Sequence, residues 1–140
     1  MNRRELIRVI RNYTRNKKRI EEIKRDVFSI SGIDYSNSGG NDKNRKDTVF
    51  NSVYKFEMNK ERKELQGLID SVDRLNMRLT ERQIIIYKLY FIQDKTVKAI
   101  ESNGVSQATA YREIDNILEM LDEEIKMTRG NIWVIGKKYN

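Results

Sequence analysis

The sequence lacks cysteine, proline and histidine entirely and has only seven glycines among its 140 residues. Without cysteine the chain can form neither a disulfide nor a thiolate metal site, and without histidine it lacks the commonest metal ligand and general base. Because proline and glycine are the residues that end helices, their scarcity favours a mostly helical chain. What remains contains no recognisable set of catalytic groups. We therefore predict an all-α protein that is not an enzyme and holds no cofactor or metal.

Long apolar runs are missing as well. No stretch of the chain approaches the roughly 20 apolar residues needed to span a bilayer. The N-terminus is rich in arginine and has a helical pattern, unlike a signal peptide with its apolar core. We therefore predict a cytoplasmic protein with no membrane partner.

Charge is abundant and unevenly distributed. The net charge of +7 suggests a polyanionic partner, because phosphate neutralisation supplies most non-specific affinity for nucleic acid. Residues 1–26 carry ten basic and four acidic side chains, whereas residues 80–128 carry six basic and nine acidic ones. Contact between the C-terminal part and DNA therefore depends on the charge of a local face and not on the total.

The N-terminal half contains two apolar patterns separated by a polar stretch. Residues 1–28 predict one basic amphipathic helix, since apolar side chains recur at intervals of three, four or seven: Leu6, Ile10, Tyr13, Ile20, Ile23 and Val27. Residues 29–49 are rich in Ser, Gly, Asn and Asp, which predicts a flexible loop. Residues 50–79 predict a helix with a heptad seam formed by Leu65, Leu68, Val72, Leu75 and Leu79.

A helix with such a seam needs a partner. Either the apolar stripe of residues 1–28 packs on it within one chain, or the same helix of a second copy does so and makes a homodimer. The sequence leaves both arrangements open. Pairing two DNA-binding units on a palindromic site favours the dimer.

Residues 80–127 have the pattern of a helix-turn-helix DNA-binding domain, and residues 128–140 form a C-terminal tail. Thr80 and Gln83 can form a capping box that starts a helix with apolar side chains on more than one face. A short helix over residues 94–102 follows. These elements predict a small bundle that ends in two consecutive helices.

A tight turn joins the short helix to the last one. Gly104 supplies the reversal, Val105 plugs the corner and Ser106 caps the last helix. The small side chains of Ala99 and Ala110 let the two helices cross closely. In this geometry the N-terminus of the last helix enters the major groove of double-stranded DNA.

The first turns of the last helix carry the side chains expected to read DNA bases, namely Gln107, Thr109, Tyr111 and Arg112. Gln107 suits adenine and Arg112 suits guanine, because each can form two hydrogen bonds to that base. Phosphate contacts are predicted for Ser106, Lys98, Arg4, Arg8, Arg11 and Arg15. The alternative interpretation is a helical hairpin whose polar face is only solvated. The arginines could equally be solvated or dock on an acidic patch of RNA polymerase.

The order of these motifs resembles that of a known group. The C-terminal part runs TERQIIIYKLYFIQDKT, SNGVS and ATAYREIDNILEML, an order that resembles region 4 of bacterial sigma-70 factors. The whole chain resembles the small phage transcriptional regulators of the RinA and ArpU type. There a basic N-terminal helix, a loop with Asp-Tyr-Ser (here Asp34-Tyr35-Ser36) and a heptad helix precede a sigma-like helix-turn-helix. The resemblance implies a phage-encoded activator of late genes that binds promoter DNA and acts with host RNA polymerase.

Two other functions remain open at this point. A phage terminase small subunit also joins a helix-turn-helix to helical oligomerisation elements and binds packaging-site DNA, and it would assemble into rings of many subunits. A protein that binds polymerase or a sigma factor would show no DNA binding at moderate salt. Neither alternative changes the predicted fold class.

Overall fold

The computed structural model describes the backbone of residues 1–30 and 42–139, and the side chains of residues 1–29 and 49–129. Within these ranges all regular secondary structure is helical, which confirms the all-α prediction. A π-helical turn, Lys88–Ile92, directly follows the fifth α-helix. The α-helices in chain order are α1 Arg3–Arg11, α2 Tyr13–Ile30, α3 Asp42–Met58, α4 Lys60–Arg78, α5 Glu81–Tyr87, α6 Val97–Glu101 and α7 Gln107–Tyr139.

Two asparagines divide helices that the apolar periodicity predicts to be continuous. Asn12 separates α1 from α2, and its backbone N–H donates to the carbonyl of Arg8 at 2.8 Å. Asn59 separates α3 from α4, and its side-chain oxygen accepts the backbone N–H of Arg62 at 2.9 Å, which caps α4. Asparagine favours helix ends because its side chain competes for backbone hydrogen bonds. The apolar periodicity gives no sign of these helix ends.

Three predicted boundaries also differ. α2 ends at Ile30 and α3 begins at Asp42, so residues 29–30 and 42–49 are helical where a loop was predicted. The rest of that loop at residues 31–41, with the Asp34-Tyr35-Ser36 motif, lies outside the described residues. α7 continues to Tyr139, through most of the predicted tail at 128–140. Both of the longer stretches contain no proline and several lysines or arginines, which have good helix propensity.

The chain divides into two compact units. The first comprises Met1–Tyr13 and Gly67–Asn140, and the second comprises Thr14–Gln66. α1 therefore belongs to the same unit as the C-terminal helices, although the whole second unit separates them in sequence.

The first unit has one apolar core to which α1, α4, α5, the π-helical turn, α6 and α7 all contribute. The predicted heptad seam lies in it, since Val72, Leu75 and Leu79 pack in one cluster with Leu6 and Ile10 of α1. The buried part of the seam is therefore satisfied within one chain. The cluster comprises Leu6, Val9, Ile10, Val72, Leu75, Leu79, Ile86, Tyr87, Phe91, Val97, Ile100, Ala110, Ile114, Ile117, Leu118, Leu121 and Ile125.

A buried carboxylate joins α4 to α7 beside this core. Glu124 accepts from Arg74 Nε at 2.9 Å and from Arg78 Nη1 at 2.8 Å, one arginine to each oxygen. Arg74 also donates to the hydroxyl of Thr128. The hydrogen bond from Arg74 is the largest effect that lowers the pKa of Glu124, Arg78 adds to it, and burial acts in the opposite direction. The cluster therefore holds Glu124 ionised and fixes the later part of α7 on α4.

Among its described side chains, the second unit buries fewer apolar residues than the first does. Ile20 and Ile23 of α2 are buried, and so is the small polar side chain of Ser52 in α3. Arg19 donates from Nε and Nη2 to the two carboxylate oxygens of Glu61, at 2.8 and 3.2 Å. This bidentate ion pair joins α2 to the first turn of α4.

Candidate nucleic-acid interface

α6 and α7 are joined by a tight turn built from local hydrogen bonds. Thr96 caps α6 by accepting the N–H of Ala99 at 3.2 Å, and Ser106 caps α7 by accepting the N–H of Thr109 at 3.2 Å. Between them Gly104 has a φ of +90°, in the left-handed region that favours glycine. A Cβ at this position would meet nothing within 4 Å, so the backbone conformation alone requires glycine.

The two helices are held together by buried side chains on their inner faces. Ile100 of α6 and Ala110 of α7 are both fully buried, while Ala99 is only half-buried. Of the two alanines predicted at the crossing, Ala110 is therefore the one that the core encloses fully. Val105 lies half-buried in the turn against the core, as the sequence predicts. The turn and the crossing together fix where the first residues of α7 lie.

The predicted base-reading side chains do not all lie in the same environment. Gln107 is exposed, Tyr111 is 52% exposed, and the side chain of Arg112 is 65% exposed. Thr109 is half-buried, and its hydroxyl oxygen accepts a hydrogen bond from the hydroxyl of Ser106 at 2.8 Å. Three of the four side chains therefore reach solvent at the start of α7, and Thr109 takes part in the cap.

Glu101 is a residue of this surface that the sequence reasoning missed. Its Oε2 accepts a hydrogen bond from Nε2 of Gln107 at 2.8 Å, across the turn from the end of α6. A carboxylate can only accept, so the nitrogen side of the Gln107 amide must face it. The second Nε2 hydrogen and Oε1 are then left to form the two bonds that an adenine edge accepts and donates. In the sequence, only the spacing of six residues between Glu101 and Gln107 across a predicted tight turn indicated this contact.

Charged side chains of α1 pair with residues elsewhere in the same unit. Arg3 pairs with Asp115 of α7, and Arg11 Nη2 lies 2.7 Å from Asp94 Oδ1, just after the π-helical turn. Arg4 and Arg8 are exposed and form no ion pair with any described residue. Two of the predicted phosphate-binding arginines are therefore uncompensated cations beside the C-terminal helices, while Arg11 is paired.

The other three predicted phosphate contacts are also at the surface. Ser106 is exposed, but its hydroxyl is used in the cap of α7. Lys98 is exposed on α6. Arg15 is exposed as well, but it belongs to the second unit. Lys98 therefore belongs to the same unit as Arg4 and Arg8, and Arg15 does not.

The acidic side chains of α7 are largely compensated within the first unit. Besides the two arginines on Glu124, Arg78 Nη2 lies 3.2 Å from Glu123, and Lys126 lies 2.8 Å from Asp122. The hydrogen bond from Lys126 is the largest effect that lowers the pKa of Asp122. The three acids at this end of the helix therefore have neighbouring cations, and two of these, Arg74 and Arg78, lie outside residues 80–128.

Asp94 has the one positive φ among the non-glycine residues of the described chain, at 54°. It follows the π-helical turn, where Lys95 donates its N–H to the carbonyl of Leu89 at 2.9 Å. Asp is among the few residues that adopt this conformation readily. The reversal places the carboxylate of Asp94 within reach of Arg11 and orients the start of α6.

Known protein families, curated proteins and solved structures give no match to this chain. The described side chains include no group of three or more acidic residues placed to hold a metal ion. Among the helices of the described residues, each is too short or too polar to cross a bilayer.

Proposed function

We propose that this protein is a sequence-specific double-stranded DNA-binding transcriptional regulator that places the first turns of α7 in the major groove. The observation that carries the proposal is the amphipathic start of α7. Its inner side is buried in the core at Ala110 and Ile114, while Gln107, Tyr111 and Arg112 are exposed just beyond a tight turn. Glutamine and arginine can each form two hydrogen bonds to one base edge, worth about 1–3 kcal/mol of discrimination.

The charge distribution of the first unit supports the same function. α1 contributes four arginines and one glutamate to a unit whose C-terminal helices have an acidic excess. Arg4, Arg8 and Lys98 are the proposed phosphate contacts, since each is an exposed cation of this unit. The paired acids at the other end of α7 have their own cations and do not oppose a polyanion strongly.

The proposed binding to promoter DNA and the proposed action with RNA polymerase rest on the resemblance to phage regulators. A sigma-like helix-turn-helix behind a basic N-terminal helix is the arrangement of an activator that binds promoter DNA and works with host RNA polymerase. We include activation of phage late genes in the bacterial cytoplasm in the proposal on that resemblance alone.

Selection of bound sequences from a random duplex pool tests the proposal. The selection is run at about 150 mM salt, where charges on the surface are screened beyond roughly 8 Å. Wild type is compared with Arg112→Ala and with Arg129→Ala, which removes an exposed arginine from the later part of α7. We expect wild type and Arg129→Ala to enrich the same motif and Arg112→Ala to lose preference at one base pair.

The affinity for the selected site is then measured as a function of salt. Phosphate contacts release counterions, so the logarithm of the binding constant falls linearly with the logarithm of salt concentration. Arg4→Ala and Arg8→Ala should each weaken binding to all sequences and make this slope shallower by about one. Enrichment of no motif by wild type would refute the proposal and favour a protein-binding role.

A further inference from the structure

α3 presents large apolar side chains to solvent along one side of the helix. Those with exposed side chains are Val49, Phe50, Val53, Tyr54 and Met58, and we call this set the α3 stripe. Steps of one, three and four residues keep them on one broad face. The two aromatic members are the most exposed, Phe50 at 70% and Tyr54 at 57%. Toward its own unit, α3 buries the small side chain of Ser52 instead.

We propose that the α3 stripe is the surface on which a second copy of this chain docks, so that the protein is a two-fold symmetric homodimer. Scattered exposed apolar residues are ordinary, but a contiguous apolar patch of this kind marks an interaction site. One face that meets its own copy across a two-fold axis needs only to be complementary to itself.

The area of the stripe fits a small specific interface. A fully buried aromatic side chain covers about 150–250 Å², and a valine or methionine on the order of 60–120 Å², so the exposed fractions leave about 300–500 Å² of apolar surface per copy. Two copies would cover about 600–1,000 Å² of it. With a polar rim, this approaches the roughly 1,200 Å² at which specific interfaces begin.

Two identical faces repel each other when each carries an unpaired charge, but the acidic side chain within the α3 stripe already has a partner. Glu57 is the acidic residue that interrupts the stripe, and its carboxylate lies 3.2 Å from Nη2 of Arg62 in the same chain. The guanidinium of Arg62 also lies over the ring of Phe56, 5.1 Å from its centroid. Two copies can therefore approach without bringing together a pair of uncompensated carboxylates.

The other candidate surfaces and occupants fit less well. The buried part of the heptad seam, Val72, Leu75 and Leu79, is occupied by the chain itself and is not free to form a zipper. The sequence of residues 31–41, the nearest segment outside the described residues, contains only Ile33 and Tyr35 as large apolar residues. It has too little apolar surface to cover five large side chains. A second copy brings an equal stripe.

The absence of cysteine makes the contact directly testable in the full-length protein. A single cysteine from Val53→Cys lies at the middle of the stripe, where a two-fold axis brings each residue next to its own copy. Under mild oxidation we expect Val53→Cys to form a disulfide-linked dimer in high yield. Met77→Cys is the matched control, since Met77 is 85% exposed on α4 outside the stripe, and it should remain largely monomeric under denaturing, non-reducing conditions.

Sedimentation equilibrium measures the same contact without cross-linking. We expect wild type to be dimeric at tens of micromolar, and Tyr54→Glu to raise the dissociation constant at least about tenfold because it places a carboxylate in an apolar interface. Met77→Glu should leave the dimer intact. Circular dichroism checks that Tyr54→Glu keeps its helical content, which is expected because Tyr54 is 57% exposed.

Three outcomes would overturn the proposal. These are a monomeric wild type, a dimer that Tyr54→Glu does not weaken, and a closed ring of many copies in which Val53→Cys does not pair with itself. A monomer in which the stripe is nevertheless protected from labelling would assign it to a segment of the same chain. DNA binding is measured separately, so its failure would leave the dimer standing.

Discussion

The two halves of α7 put their polar side chains to different uses. The later half is anchored, because Glu124 is buried and accepts from two arginines of α4. The earlier half holds its inner face in the core and leaves Tyr111 and Arg112 in solvent. Polar content alone therefore does not distinguish the two ends. The difference is burial, because the carboxylate of Glu124 is buried between two arginines, whereas the polar groups at the start of α7 stay at the surface even where they have partners, as Gln107 does in Glu101.

The largest expected effect on stability comes from the buried face of α7, which runs through both halves. Ile117→Ala removes a fully buried side chain from the core of the first unit and should lower the free energy of unfolding by about 2–5 kcal/mol. Urea denaturation followed by circular dichroism measures it. Ile92→Ala is the control, since Ile92 is 62% exposed and should change stability by less than about 0.5 kcal/mol. Equal losses from the two variants would contradict the observed core.

The anchored half should show its own pH dependence. Glu124→Gln removes the charge that Arg74 and Arg78 bind, and we expect a loss of about 1–3 kcal/mol at pH 7. Because the folded-state pKa of Glu124 lies below its ordinary value, its stabilisation is present at neutral pH. It is lost as the pH falls through that folded-state pKa.

Urea midpoints at pH 7 and pH 3 for wild type and Glu124→Gln test this sign. The difference between the two proteins should be largest at pH 7 and should shrink at pH 3. Glu119→Gln is the control, because Glu119 is exposed on the same helix and its neutralisation should matter little. A gap that stays constant between the two pH values would show that the Glu124 charge is not responsible.

A smaller effect is expected at the turn that sets the exposed half. Gly104→Ala forces a left-handed conformation on a residue with a Cβ and should cost about 1–2 kcal/mol of stability. Space is available, so the cost comes from the backbone and not from a clash. Gly104→Asn should cost less, since asparagine tolerates positive φ. Thermal unfolding of the two variants ranks them, and the reverse order would contradict this explanation.

The smallest effect on stability should accompany a change in base preference. Glu101→Ala removes the hydrogen bond that orients the amide of Gln107. The side chain of Gln107 must then become ordered when it binds DNA, so we expect the preference for the correct base at one base pair to fall roughly two- to tenfold. Stability should change by less than about 0.5 kcal/mol. This prediction rests on the proposed DNA binding and is measured by the same duplex selection.

Two variants separate orientation from charge in that experiment. Glu101→Gln keeps an acceptor for the Gln107 amide while it removes the negative charge, so the base preference should largely persist. Glu119→Ala also removes one negative charge, from α7 instead of α6, and should leave the motif unchanged. If Glu101→Ala leaves the motif as sharp as in wild type, Glu101 does not position Gln107.

Local signals in the sequence were sufficient for the elements around the turn. The capping box at Thr80 is confirmed, with the N–H of Gln83 donating to its hydroxyl at 3.3 Å and Gln83 Oε1 accepting its N–H at 3.0 Å. The cap at Ser106 and the reversal at Gly104 are confirmed as well. Each depends on a few neighbouring residues whose chemistry is legible without knowing the fold.

The arrangement of distant segments could not be predicted in the same way. Nothing in the basic stripe of residues 1–28 indicates that its first part packs with α7 while Arg15 lies in a different unit. The pairing of Arg3 with Asp115 joins residues that are far apart in sequence, and many acids could have been its partner. The contact of Glu101 with Gln107 likewise needed the turn geometry before it could be seen.

The division of the first unit between the two ends of the sequence has a consequence for how length can vary. Thr14–Gln66 is, in topological terms, an insertion between α1 and the rest of the unit that α1 completes. The entropy of closing such an excursion grows only with the logarithm of its length, by about 0.6 kcal/mol for each doubling. Lengthening or shortening the inserted part should therefore change the stability of the first unit, which contains the turn between α6 and α7, by little.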